Sequence, residues 1–165
     1  MYDQFLPLIL FGIVTGFTPG PNNIMSSYSG FNFGFKRTIP LMLGVIFGWT
    51  TMLAVMASGL IFIFQKYLIL QDVIKILGTF FLIYLAYKIA FNSKDKEENI
   101  KEPVKFFDTF LFQFINPKGV MVAMIAVSTF IDVQNNYFRD ASIVVIAYFF
   151  VAVFSVSSWC LLGKY

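Results

Sequence analysis

Histidine is absent from the 165-residue chain, and cysteine occurs once, at Cys160. Without histidine the usual zinc, haem and non-haem iron sites lose their commonest ligand, and a lone cysteine cannot close an internal disulfide. No metal site and no cofactor is therefore expected. Catalytic triads and histidine proton relays are excluded by the same count, and no nucleophile–base pair can be assembled, so the chain does not read as an enzyme. Charge is scarce as well. Only 13% of residues are charged, against roughly 25% in ordinary soluble domains, while 58% are hydrophobic and 19% aromatic. Too few charges remain to cover a globular surface, which removes soluble enzymes and disordered tails. The net charge of +3 comes from lysines flanking apolar runs rather than from a basic patch, so nucleic acid is not an expected partner. Met1-Tyr2-Asp3-Gln4 carries no basic segment and no cleavage signature, so the first apolar run is expected to stay.

What the chain has in excess is uninterrupted apolar sequence. No charge falls between Asp3 and Lys36, between Arg37 and Lys66, or between Asp140 and Lys164. Each gap exceeds the roughly 18 apolar residues that mark a bilayer-spanning helix. The fold class is all-α, a polytopic helical membrane protein with the lipid bilayer as its solvent. Five spans are expected, over about 5–35, 39–64, 73–91, 106–131 and 141–162. They form one transmembrane transporter domain over 1–165: a first half at 1–91, a polar linker at 92–105 and an incomplete second half at 106–165. The linker mixes both signs of charge and reads as a solvated connection. Lys36, Arg37, Lys88, Lys94, Lys96, Lys101, Lys105 and Lys164 gather on one side, against Lys66, Lys75 and Arg139 on the other. That bias puts the linker in the cytoplasm and the N-terminus outside.

Two spans are interrupted. At ~1.5 Å per residue the run from 5 to 35 overshoots a ~30 Å hydrocarbon core, and Pro19-Gly20-Pro21 splits it. Asn116-Pro117 splits the fourth. Backbone groups freed by such breaks cannot be satisfied by lipid and need protein or a wet cavity. A lone proline merely kinks a helix, but breaks at matching positions of two halves point to a transporter site at the interface of a 3+3 inverted repeat with broken first and fourth helices. Lys118, mid-span, is the most informative residue: an ammonium at bilayer centre costs about 2.5 kcal/mol or more, so it should face the interior. There it would hold an anionic group such as a substrate carboxylate, change protonation during transport, or simply be satisfied by carbonyls freed at Pro117. Asn22, Asn23 and Asn116 flank the breaks and could cap helices or contact substrate. Asp108 reads as interfacial. Gly12 and Gly16, and Gly44 and Gly48, repeat at four-residue spacing and read as helix-packing faces that also allow a homo-oligomer.

Thr18-Pro-Gly-Pro-Asn22, Gly30-Phe-Asn-Phe-Gly-Phe-Lys-Arg37, Leu43-Gly-Val-Ile-Phe-Gly48, Ile76-Leu-Gly-Thr-Phe-Phe-Leu-Ile-Tyr-Leu-Ala-Tyr-Lys88 and Phe114-Ile-Asn-Pro-Lys118 follow one another in an order and spacing that resemble the LysE-type amino-acid exporters, the lysine exporter/homoserine–threonine exporter family. The resemblance implies a multi-pass exporter of amino acids in the cytoplasmic membrane, driven by protons. It assigns the substrate and ion path to Pro19, Gly20, Pro21, Asn22, Asn23, Asn116, Pro117 and Lys118. Family members have about six spans, so this chain is expected to lack the last. Exporters of dibasic amino acids in the family tend to carry an acid just after the second-span glycine. Trp49 follows Gly48 here, which leans towards neutral substrates. The alternatives are an exporter of another small solute, or a truncated membrane subunit that does not transport.

Overall fold

In the computed structural model, which describes residues 2–92, 103–132 and 134–164, every regular element is helical. The linker expected at 92–105 falls mostly outside the described residues. Helix α1 (Tyr2–Phe17) ends where prolines take over. A residue before proline is pushed out of the helical region, and Thr18 and Gly20 each precede one. Gly20 is accordingly extended (φ −171°, ψ 176°), and Pro21 opens α2 at a position whose N–H would have been orphaned anyway.

Helix α2 (Pro21–Val55) is continuous by hydrogen bonding but broken in conformation at Gly34, with φ +73° and ψ 169°. That region is open only to glycine, and the Thr38 hydroxyl donates to the Gly34 carbonyl at 2.9 Å. A π-helical turn over Met56–Leu60 leads into α3 (Ile61–Lys66), followed by α4 (Leu68–Asn92). The fourth apolar stretch forms α5 (Phe106–Phe112) and α6 (Pro117–Phe130), bent by 56° across the break. Between them Gln113, Phe114 and Ile115 donate to Phe110, Leu111 and Phe112 at 3.3, 3.2 and 3.1 Å, a 3₁₀-like tightening that ends the helix. Helix α7 (Tyr137–Lys164) closes the fold, lying along α2.

Large apolar side chains face outward as well as inward, while several amides are buried. Phe31, Phe107 and Phe138 are 74, 71 and 85% exposed, whereas Asn23, Gln113 and Asn116 are 5, 0 and 2% exposed. Large apolar side chains outside and amides inside suit a lipid solvent, where only buried polar groups find partners. Two helices are long and apolar enough to cross a membrane, Pro21–Lys66 and Tyr137–Gly163, and α5 with α6 makes a third if the bent pair is one span. Helix α1 is shorter, because the proline break arrives early.

Two apolar clusters hold α2, α6 and α7 together. One gathers Leu53, Met56, Ala123, Ala126, Val127 and Val144; the other gathers Met25, Leu41, Val45, Val156 and Cys160. Close approach is decisive where α5 crosses α2. A Cβ on Gly48 would stand 2.6 Å from the Phe110 carbonyl oxygen and 2.8 Å from its Cα, and one on Gly44 would collide with the Phe106 carbonyl. Only glycine lets the two backbones meet there.

Candidate functional site

The interruption after α1 leaves carbonyls without helical partners, the usual fate of a helix C-terminus. Those of Gly16, Phe17, Thr18 and Pro19 are met by side chains from other elements. Gly16 O accepts from Asn23 Nδ2 at 2.8 Å and from Ser155 Oγ at 2.7 Å. Phe17 O accepts from Trp159 Nε1 at 3.3 Å. Thr18 O accepts from Asn23 Nδ2 at 3.0 Å and from Lys118 Nζ at 2.7 Å, and Pro19 O lies 3.5 Å from the same ammonium. The cation therefore sits at the negative end of the α1 dipole, as helix electrostatics favours.

The second interruption is satisfied within itself and by the first. Asn116 is extended (φ −73°, ψ 106°), caps α6, and accepts from Gly119 N at 3.4 Å. Gln113 pairs reciprocally with Asn22: Asn22 Nδ2 donates to Gln113 Oε1 at 2.8 Å, and Gln113 Nε2 donates back to Asn22 Oδ1 at 3.0 Å. The same Nε2 donates to Thr109 O at 2.8 Å, while Thr109 Oγ1 donates to Leu41 O at 3.0 Å. Lys118 Nζ and this amide pair are two separate ties between the breaks, about a hundred residues apart in sequence.

Around them lies a cavity of about 80 Å³. Its wall includes Gly20, Pro21, Asn22, Asn23, Asn116 and Lys118 from the breaks, joined by Trp49, Tyr148 and Ser155. Among the described residues Lys118 is the one charged residue on it, and no carboxylate lines it. Pro19 and Pro117 do not line the cavity. Pro19 offers a carbonyl, and Pro117 packs against α4, where a Cβ on Gly78 would stand 2.6 Å from its Cγ. Gly16, expected as a packing position, meets Val151 (2.6 Å from an added Cβ) and also lines the wall. Gly12 meets Val151 and Tyr148. The carbonyls that hold Lys118 come from Thr18 and Pro19, not from the Pro117 break.

A larger groove, about 760 Å³, runs between α1 and α7, but its walls are Phe5, Ile9, Phe154 and similar residues with Ser158 as their sole hydroxyl. It offers a polar solute no adequate partners. Among the described residues no three of His, Cys, Asp or Glu come together as a metal site. Sequence reasoning missed Gln113, Ser155 and Tyr148. Gln113 carried a signal, an amide inside an apolar run; the others became visible only through the packing of α7.

The sequence profile of the family described as LysE type translocator matches residues 13–162, a range that takes in both breaks, Lys118 and the whole cavity wall. The chain belongs to this family. As a LysE type translocator it is a membrane transporter and not an enzyme. Relatives named cysteine/O-acetylserine efflux protein in Escherichia coli (strain K12), Shigella flexneri serotype 5b (strain 8401) and Shigella sonnei (strain Ss046) are each 28% identical to it over 155 residues, covering 92% of this chain and 77% of theirs. No solved structure matches this LysE-type chain.

Proposed function

We propose that the chain exports small neutral amino acids across the cytoplasmic membrane by proton antiport, with Lys118 receiving the substrate carboxylate. The observation that carries this is the state of the ammonium. Among the described residues it is the sole charge on the cavity wall and has no carboxylate partner there, and it is held by the Thr18 and Pro19 carbonyls. A zwitterion supplies both missing halves: its carboxylate draws Lys118 off the carbonyls, and its ammonium takes those carbonyls in exchange. Opposite charges cancel within the cavity, so little net charge is moved into low dielectric. An amino acid with a second positive charge would leave that charge unpaired, because among the described residues no acid lines the wall. Lys118 also serves as the proton carrier, being the charged group at the exchange point. The name of these relatives, cysteine/O-acetylserine efflux protein, supports a neutral cargo.

The same reading has the chain cross the membrane five times, with 92–105 on the cytoplasmic face. The spans broken at Pro19-Gly20-Pro21 and at Asn116-Pro117 are corresponding members of an inverted repeat. Its support is local likeness: each second half-helix opens on a proline, Pro21 or Pro117, after an extended cap. In cells accumulating L-serine or L-cysteine from dipeptides, Lys118→Met should abolish export at wild-type membrane levels, while Lys118→Arg, which can pair with a carboxylate but cannot release a proton, should lose proton-driven export and keep counterflow of L-serine in liposomes. Export by Lys118→Met at the wild-type rate overturns the reading.

A further inference from the structure

One buried polar row starts at the cavity wall and continues beyond it into residues that neither the helix ties nor the wall uses. On the first arm of α2, between the break at Gly20 and the conformational break at Gly34, Ser26 and Ser29 follow the wall residue Asn23 at three-residue spacing, which keeps them near one face. Asn23, Ser26 and Ser29 are 5, 0 and 2% exposed, and Ser29 Oγ lies 2.9 Å from Oγ1 of Thr38, itself 0% exposed. Asn23 belongs to the cavity wall, and Thr38 follows directly on Lys36 and Arg37 beyond the Gly34 turn. The row therefore links the cavity to the charged end of that arm. Its middle member has no satisfied role: among the described residues Ser26 Oγ is fully buried with no hydrogen-bond partner. An unpaired buried hydroxyl is costly, and a packing role would be filled better by alanine.

We propose that this row, Ser26, Ser29 and Thr38, is the closed form of the route by which substrate passes between the central cavity and the face carrying Lys36 and Arg37. The proposal rests on the transport reading above and extends it from the binding point to the path. Closure is made by backbone contact of the arm with α7: a Cβ on Gly30 would collide with the Cys160 carbonyl, and one on Gly163 with the Ser27 carbonyl. Both joints needed for opening are present, one after Pro19 and one at Gly34, where φ is +73°. When the arm moves away from α7, Ser26 Oγ gains water or the polar groups of a small amino acid as partners.

The lone cysteine makes the test clean. In a Cys160→Ala background that still exports, Ser26→Cys, Ser29→Cys and Lys36→Cys are exposed in sealed vesicles to a membrane-impermeant thiol reagent, applied from each face. The expected result is that Ser26→Cys and Ser29→Cys react from the same face as Lys36→Cys, with a several-fold change in rate on adding excess L-serine. Ser26→Leu should lose export with normal membrane levels, while Ser26→Ala should keep or raise those levels. Failure of both cysteines to react, reaction only from the face opposite Lys36→Cys, or full export by Ser26→Leu overturns the proposal. Labelling as expected together with full export by Lys118→Met refutes the role of Lys118 and leaves the route standing.

Discussion

The amide pair across the two breaks gives a prediction whose size follows from the geometry. Asn22 and Gln113 exchange hydrogen bonds at 2.8 and 3.0 Å, 91 residues apart in sequence. A polar pair within a membrane protein contributes on average ~0.6 kcal/mol by double-mutant cycles, and up to about 1.7. Two bonds in one reciprocal pair should therefore couple by about 1–2 kcal/mol. Replacing Gln113 by Leu removes the partner of a half-buried amide and its own bond to Thr109 O, at a cost of about 1–3 kcal/mol. Asn22→Ala strands Gln113, which is 0% exposed, at a similar cost. Once the first change is made, the second should cost much less. Unfolding of the purified protein in detergent, followed for both single variants and the double variant, measures the coupling directly. Additivity within ~0.5 kcal/mol is what unlinked sites show. That result would mean that the two breaks are not tied here.

Two further changes test the packing that sets the breaks in place. Gly48→Ala puts a methyl 2.6 Å from a backbone carbonyl oxygen of α5, so α5 must move; a loss of about 1–3 kcal/mol in stability and reduced export are expected, and a thermal unfolding curve unchanged from wild type would speak against the crossing. Gly34 has open space around it but a backbone conformation reserved for glycine, so Gly34→Ala and Gly34→Asn should both cost about 1–3 kcal/mol in the same assay; rescue by Asn would indicate an ordinary left-handed turn instead.

What could be read in advance depended on how local the cause was. Proline acts through its own ring and its neighbour's backbone, so Thr18-Pro19-Gly20-Pro21 and Asn116-Pro117 announced both breaks without knowledge of the fold. Lys118 was legible because an ammonium amid apolar residues must find partners, yet which partners it found was not. They are carbonyls at the far break, reached only once α1 and α6 come together. Ser155 and Trp159 sit on a long apolar helix in which one hydroxyl and one indole look unremarkable in sequence. Their roles come from α7 lying beside the frayed end of α1. Gly34 looks in sequence like any glycine of an apolar run, and its positive φ is visible only in the backbone. Span lengths were less secure for the same reason. Hydropathy marks apolar runs, but joints at Gly34 and at the π-helical turn redivide them.

The account depends most on the substrate carboxylate meeting the ammonium of Lys118, and one measurement addresses that contact alone. Purified protein in liposomes is compared for counterflow of L-serine and of L-serinamide, which keeps the α-ammonium and side chain but lacks the carboxylate. The expected result is strong preference for L-serine in the wild type, and in Lys118→Met a fall of L-serine counterflow to the level of L-serinamide. Equal counterflow of both compounds by the wild type, or undiminished preference for L-serine in Lys118→Met, would contradict it.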